Sequence, residues 1–246
     1  MSLKNYKITI SYDGTDLQGW QVQKTGRTVQ GDIENALKKI FNKKINLIGA
    51  GRTDSGVHAL GQVANFKVST TMTSDELKNA LNGNLSRDIF IISCYEVNLD
   101  FHSRFSAVER EYIYKIQTKF TPITRNLSWS LDPDFIDIDI LHQCSKLIIG
   151  EHDFSQLSKK NDEIENKKCH IYNSKWFFED SSLNYIISAN RFLHHMVRYL
   201  VGVMIEVSKK NLLSIDDFES MLNANERKFI FKAPSKGLYL NRISYD

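Results

Sequence analysis

One stretch of the chain has an unusual composition, Gly49-Ala50-Gly51-Arg52-Thr53-Asp54-Ser55-Gly56-Val57-His58-Ala59. The apolar run 45–48 precedes it, and a second apolar run, 63–68, follows it. Because glycine adopts backbone conformations that are closed to other residues, this pattern predicts a tight loop between two strands. The loop carries a carboxylate, Asp54, close to a guanidinium, Arg52. Loops held by a rigid scaffold often carry functional side chains, so we expect Asp54 to be the central residue of a site.

Strands and helices alternate on both sides of this loop. Residues 6–12 alternate between apolar and polar, which predicts a strand with one buried face. Thr28 is expected to open a helix, and Thr73 with Glu76 fits a capping box that opens a second helix, ending near residues 82–83. With strands at 45–48, 62–68 and 89–95, the order is β-α-β-β-α-β. That order is typical of a ferredoxin-like fold.

The second half repeats this order with one extra helix. We predict a strand at 111–118, a helix at 138–149, a hairpin from 171–178 and 185–189, a helix that Asn190 caps and that runs to about Lys209, a helix at 214–222 and a last strand at 237–245. The predicted fold is therefore α+β, with two ferredoxin-like halves whose antiparallel sheets form a central cleft. We place the domains at 1–104 and 105–246. Clefts between domains are favoured places for sites.

Composition limits the class of protein. The chain has 246 residues, 41% of them hydrophobic, a net charge of +3 and three widely spaced cysteines that form no CxxC pair. These values predict a globular protein without a disulfide framework or a zinc finger. There is no signal-peptide pattern and no apolar run long enough to span a bilayer, so we expect a cytoplasmic protein without a membrane partner. The small positive charge is compatible with a nucleic-acid partner but does not identify one.

Two interpretations of Asp54 follow from the residues alone. The side chain could cap its own turn, as aspartate often does. Alternatively, the neighbouring arginine could hold it ionised, ready to act as a nucleophile or a general base. No second carboxylate lies nearby, which argues against a glycosidase pair. The loop matches neither phosphate-binding pattern, GxGxxG or GxxxxGK[ST], so a nucleotide-phosphate loop is a weak alternative.

A second group of candidate residues lies in the helix predicted to follow Asn190. Arg191, His194 or His195, and Arg198 fall three or four apart and would share one stripe of that helix. A cation on a largely buried helix needs an anionic partner. Arg198 could pair with a structural acid, or it could meet Asp54 or a substrate phosphate across the cleft. We predict no metal site there, because adjacent histidines on a helix point about 100° apart.

The sequence resembles the TruA family of tRNA pseudouridine synthases in seven segments. They are Tyr12-Asp13-Gly14-Thr15, Gly19-Trp20-Gln21, 51–59, 101–107, 110–112, His194 to Arg198 and 232–238. The resemblance extends over essentially the whole chain, with the motifs in the family's order. It implies isomerisation of uridine to pseudouridine at positions 38, 39 and 40 in the anticodon stem-loop of tRNA. It also implies a homodimer that uses no metal and no organic cofactor.

The resemblance assigns roles to five residues. Asp54 corresponds to the catalytic aspartate, Arg198 to the arginine that pairs with it, and Tyr112 to a tyrosine that stacks on the target base. Arg52 corresponds to a cleft arginine and Leu238 to an apolar wall residue. Without the resemblance, Tyr112 would be expected to pack in the core, as tyrosines on a strand with alternating apolar residues usually do. Its alternative role is to stack on an unpaired base. The alternative functions are a synthase acting on a different RNA and an RNA-binding protein without activity.

Overall fold

The computed structural model describes residues 2–210, 212–224 and 231–246. By packing, the chain forms two compact units, one of Met1–Val108 with Tyr239–Asp246 and the other of Glu109–Leu238. The chain leaves the first unit once and returns to it for its last strand. Within the described ranges, no helix is long and apolar enough to cross a membrane.

The first unit has the predicted β-α-β-β-α-β order, in the elements β1 (Leu3–Tyr12), α1 (Val29–Phe41), β2 (Ile48–Gly49), β3 (His58–Ser69), α2 (Ser74–Asn84) and β4 (Ile89–Val97). Both helices begin at the predicted caps. The Thr28 side chain accepts a hydrogen bond from the backbone N–H of Gly31, and Thr73 with Glu76 forms a complete capping box. These local signals therefore define the helix starts without tertiary help.

Strand β1 is central to the sheet of this unit. It pairs antiparallel with β3 on one side and β4 on the other, and β2 adds to β3. Its apolar residues Tyr6, Ile8, Ile10 and Tyr12 are all buried, whereas the intervening Lys7, Thr9 and Ser11 are half-exposed. The alternation that predicts the strand thus also defines which of its faces joins the core.

The second unit contains β5 (Ala107–Gln117), β6 (Trp129–Ser130), α3 (Ile138–Leu147), β7 (Gly150–Asp153), β8 (Lys168–Glu179), β9 (Ser182–Ala189), α4 (Met196–Ser208) and α5 (Ile215–Leu222). Its sheet has the order β5-β9-β8-β7, antiparallel throughout, with β6 added parallel to β5. Helix α4 is apolar on nearly all sides and is almost entirely buried. Such a helix forms part of a core rather than a surface.

The α+β prediction is confirmed, and the strands pair mainly antiparallel as expected. Three details differ. The short strands β6 and β7 are not predicted, because two to four residues are too few to show an alternation. Of the predicted strand 45–48, only Ile48 is in β2. The last strand, β10 (Leu238–Tyr245), pairs parallel with β3 and packs with the first unit, so the predicted division at residue 104 is not the division by packing.

The predicted start of the helix after Asn190 is wrong. Asn190 is instead used by strand β8: its side-chain oxygen accepts from the backbone N–H of His170, and its own N–H donates to the His170 carbonyl. Helix α4 begins six residues later, after His195, whose φ of 64° is left-handed. Consequently Arg191 and His194 are not helical, and the predicted stripe with Arg198 does not exist. The predicted cleft between the halves stays a prediction.

Candidate active site

The Asp54 loop connects β2 to β3 in the first unit and contains a tight turn. The backbone N–H of Val57 donates to the carbonyl of Asp54 at 3.2 Å, and Gly56, the third residue of that turn, has a φ of 74°. A turn with positive φ at its third residue requires glycine there. Asp54 is therefore the first residue of a glycine-dependent turn, and its side chain is half-exposed.

The loop rests on the segment between β1 and α1. The backbone N–H of Trp20 donates to the Thr53 carbonyl at 3.1 Å, and the N–H of Gly56 donates to the Leu17 carbonyl at 3.3 Å. Gly19 has a φ of 82°, and a Cβ at this position would lie only 2.9 Å from the carbonyl carbon of Asp54. The absence of a side chain at Gly19 thus allows the two backbones to touch directly beneath the aspartate.

Trp20 is buried against the strand that leads into the loop. Its ring lies where a Cβ on Gly49 would be, with the indole Nε1 at 2.6 Å from that position. Trp20 is only 3% exposed, so its side chain packs in the core of this unit.

Buried polar groups hold the loop from below. The Tyr12 hydroxyl lies 2.8 Å from the Thr53 hydroxyl, and the Gln62 side-chain amide donates to the Gly51 carbonyl at 3.0 Å. Burial raises the pKa of Tyr12 to about 12, an effect that its hydrogen bonds with Thr53 and Gln62 oppose. The Tyr12 hydroxyl is therefore neutral at physiological pH and acts only as a hydrogen-bonding group.

His58, which closes the loop in sequence, has a packing role. It is 2% exposed, its ring stacks on Tyr239 with centroids 4.6 Å apart, and its Nδ1 accepts from the backbone N–H of Gly14 at 3.1 Å. The same Nδ1 lies 3.1 Å from an Asp13 carboxylate oxygen, a contact that suits only a ring protonated at that atom. The single Nδ1 atom can make only one of these two hydrogen bonds at a time, since it accepts without a proton and donates with one. Unlike His58, Arg52 of the same loop is exposed to solvent.

The second unit supplies the other three candidate residues. Tyr112 lies on β5, half-buried, with its ring edge-on to Phe192 at a centroid distance of 5.1 Å. Two residues further along the same face, Tyr114 is fully buried, and its hydroxyl donates to the Pro234 carbonyl at 2.8 Å. Tyr114 is thus a core residue, and Tyr112 is the more accessible of the two.

Arg198 and Leu238 are organised by the segment 231–238. The Arg198 Nε donates to the Ala233 carbonyl at 2.8 Å, and the Ala233 N–H donates to the Arg198 carbonyl at 3.0 Å. A Cβ on Gly202, one turn further along α4, would lie 2.8 Å from the Phe231 carbonyl carbon, so glycine allows this segment to approach the helix closely. Leu238 is 6% exposed and completes this segment.

The candidate residues therefore form two groups. Arg52 and Asp54 share one loop of the first unit, and Tyr112, Arg198 and Leu238 belong to the second unit. The pairing of Arg198 with Asp54 stays a prediction. His194 and His195 lie before helix α4, and their rings lie 4.0 Å apart, centroid to centroid. The helical spacing that predicts no metal site there does not apply to them, and the absence of a metal stays a prediction.

Tyr12 and Gln62 support the Asp54 loop, a role that the sequence does not predict for them. The alternation of apolar and polar residues at 6–12 predicts that Tyr12 is in the core. Nothing in the sequence shows that its hydroxyl reaches Thr53, 41 positions away. Gln62 offers one signal in the sequence: it is a polar residue directly before the apolar run 63–68, and the structure buries it fully within β3. A buried amide requires partners, and the Gly51 carbonyl is one of them.

Residues 8–106 and 144–246 match the family described as tRNA pseudouridine synthase, and the chain belongs to that family. It is therefore an isomerase that modifies tRNA. The matched ranges include Arg52, Asp54, Arg198 and Leu238, whereas Tyr112 lies outside them.

Individual relatives agree with this assignment over their full length. The chain is 40% identical over 247 residues to "tRNA pseudouridine synthase A" of Brachyspira hyodysenteriae, covering 99% of each chain. It is 41% identical over 246 residues to the protein of the same name from Dictyoglomus thermophilum, covering 98% of this chain and 99% of the relative.

Proposed function

We propose that this protein converts uridine to pseudouridine at positions 38, 39 and 40 in the anticodon stem-loop of tRNA, with Asp54 as the nucleophile. The observation that carries the proposal is the match to the tRNA pseudouridine synthase family across the Asp54 loop. The geometry supports it, because Asp54 is half-exposed on a loop whose backbone is held by its neighbours.

The reaction is an isomerisation, so its atoms balance without a co-reactant. The bond from uracil N1 to the ribose C1′ breaks, the detached base turns, and a bond forms from C5 to C1′. The proton lost from C5 is balanced by the proton gained at N1. A carboxylate can act as a nucleophile in such a sequence by forming a transient covalent intermediate, which divides one difficult step into two.

The remaining residues bind and orient the substrate. Tyr112 presents a half-buried ring on which the target base stacks, and Leu238 forms an apolar wall beside it. Arg198 pairs with Asp54 and orients it, and Arg52 contacts the RNA from its exposed position. The target base must leave the stem, which costs a few kcal/mol. Phosphate contacts supply most of the affinity, so tRNA binding weakens as the salt concentration rises.

The variant Asp54→Asn tests the nucleophile. The amide keeps the size of the side chain but cannot form the intermediate, so the single-turnover rate should fall by about 10⁴-fold or more, while the tRNA Kd stays within about twofold. Asp75→Asn, which removes the same charge from an exposed site on α2 of the same unit, is the matched control and should keep the full rate. Pseudouridine formation by Asp54→Asn at the wild-type rate would refute the nucleophile role.

The positions are tested with tRNA transcripts that keep uridine at only one of positions 38, 39 and 40. Each transcript should gain one pseudouridine at the retained uridine, detected by chemical mapping. Modification confined to another arm of the tRNA would refute the positional assignment while leaving the isomerase assignment intact. In a strain that lacks the protein, loss of pseudouridine from another RNA alone would do the same.

The proposal includes a homodimer that binds one tRNA across both subunits. Light scattering of the purified protein should give about twice the chain mass of 28.4 kDa. A monomer at the concentrations used for activity would exclude this part of the proposal alone.

A further inference from the structure

We propose that Tyr12, Thr53 and Gln62 form a buried hydrogen-bonded device that positions Asp54 and Arg52 for catalysis. The inference rests on the proposed role of Asp54. Tyr12 is 4% exposed, Thr53 8% and Gln62 0%, so all three polar side chains are withdrawn from solvent beneath the loop.

Thr53, the residue before Asp54, is held at two points. Its carbonyl accepts from the Trp20 N–H at 3.1 Å, and its hydroxyl lies 2.8 Å from the Tyr12 hydroxyl. The first bond orients the peptide that joins Thr53 to Asp54, and the second selects one rotamer of the Thr53 side chain. Together they leave the Asp54 backbone little freedom to turn.

Gln62 holds the other end of the same short segment. Its amide nitrogen donates to the Gly51 carbonyl at 3.0 Å, and its amide oxygen accepts from the Val63 N–H at 3.1 Å. Gly51 and Thr53 flank Arg52, so the backbone on both sides of that arginine is fixed from below. The device therefore orients the guanidinium and the carboxylate together.

Stability alone does not require these hydroxyls. Phenylalanine and valine would fill the same space as Tyr12 and Thr53, and replacing both partners of a buried hydrogen bond by apolar groups is often nearly neutral for folding. A hydrogen bond restricts both the distance and the angle between its partners, and an apolar contact does not. A small misplacement of a reacting group reduces the rate strongly, so the loss of the bond should appear in turnover, beyond the stability that a single variant loses by leaving one buried hydroxyl without its partner.

The test compares two tyrosines on the same strand. Tyr12→Phe removes the hydroxyl that reaches Thr53, and Tyr6→Phe removes a hydroxyl that contacts the Met72 carbonyl at 3.3 Å, away from the loop. Single-turnover rates and tRNA Kd values are measured for both, with thermal midpoints as the folding control. We expect Tyr12→Phe to lose about tenfold or more in rate with a Kd within about twofold, and Tyr6→Phe to keep the wild-type rate.

A second pair of variants at Thr53 makes the test independent of whether Tyr12→Phe folds. Thr53→Ser retains the hydroxyl and should keep most of the rate, whereas Thr53→Val has nearly the same shape without it and should lose as much as Tyr12→Phe. Equal rates for Thr53→Ser and Thr53→Val would overturn the proposal.

The outcomes also separate this inference from the proposed function. If Asp54→Asn is inactive while Tyr12→Phe and Thr53→Val turn over at the wild-type rate, the positioning device is refuted and the nucleophile stands. If Asp54→Asn remains active, the nucleophile role is refuted, and the premise of the positioning device falls with it.

Discussion

Replacing Gly19 by alanine should weaken both the fold and the chemistry, because the new methyl group would meet the backbone that carries Asp54. The Cβ would lie 2.9 Å from the Asp54 carbonyl carbon, and closer still to the Thr53 carbonyl oxygen, whereas ordinary contacts begin at 3.4 Å. The loop must therefore move by at least about 0.5 Å. Such overpacking costs about 1–3 kcal/mol, and the left-handed φ of 82° adds roughly 1–2 kcal/mol for a residue with a Cβ.

The unfolding free energy is measured by urea titration, and we expect Gly19→Ala to lower it by about 2–5 kcal/mol. The single-turnover rate of the folded variant should also fall by about tenfold, because the displaced peptide bears the nucleophile. Gly83→Ala is the control: this glycine is exposed near the end of α2, and among the described residues no atom beyond its own helix turn lies within 4 Å of where the methyl group would be. It should gain about 0.5–1 kcal/mol and keep the full rate. A Gly19→Ala protein with wild-type stability and rate would refute the reasoning.

Three other substitutions test interactions that stabilise the fold away from the Asp54 loop. Thr73→Ala removes the cap of α2 and should cost about 1 kcal/mol in urea unfolding. Gly202→Ala should cost about 1–3 kcal/mol despite the better helix propensity of alanine, because the methyl group would lie 3.0 Å from the Ala233 nitrogen. Hydrogen bonds from Arg27 lower the pKa of Asp88 below its ordinary 3.8, so this pair stabilises the fold above that value and the contribution is lost as the pH falls through the folded pKa. The free energy of unfolding should therefore fall less between pH 7 and pH 2 in Arg27→Met than in the wild type.

Each of these has a contradicting result. Thr73→Ser, which keeps the hydroxyl, should match the wild type; equal losses for serine and alanine would mean that the cap contributes nothing. An increase in stability for Gly202→Ala would show that helix propensity outweighs the close packing. An unchanged acid dependence for Arg27→Met would show that Asp88 gains nothing from the arginine.

Local patterns in the sequence were sufficient for most of the fold. The alternation at residues 6–12 and the caps at Thr28 and Thr73 depend on interactions within a few residues, so they can be read without tertiary structure. The same reasoning failed at Asn190. An asparagine before an apolar run satisfies the pattern of a helix cap, but its amide is engaged by His170, 20 positions earlier, and only the folded sheet provides that partner.

The turn at Asp54 was predictable from the sequence, whereas the residues that support it were not. Glycines around Asp54 and Arg52 indicated a turn, and the turn exists, with Gly56 at the position that needs positive φ. The residues beneath the turn come from β1 and β3, and no local pattern links Tyr12 to Thr53.

By itself, the sequence determined the α+β class, the helix starts in the first unit and the loop that presents Asp54, since these follow from short-range preferences and glycine conformations. Only the tertiary structure decided where α4 begins, that the last strand packs with the first unit, and which buried hydroxyl and amide hold the loop. These depend on partners distant in the chain, because a backbone or side-chain polar group is committed to a hydrogen bond only when folding brings its partner within reach.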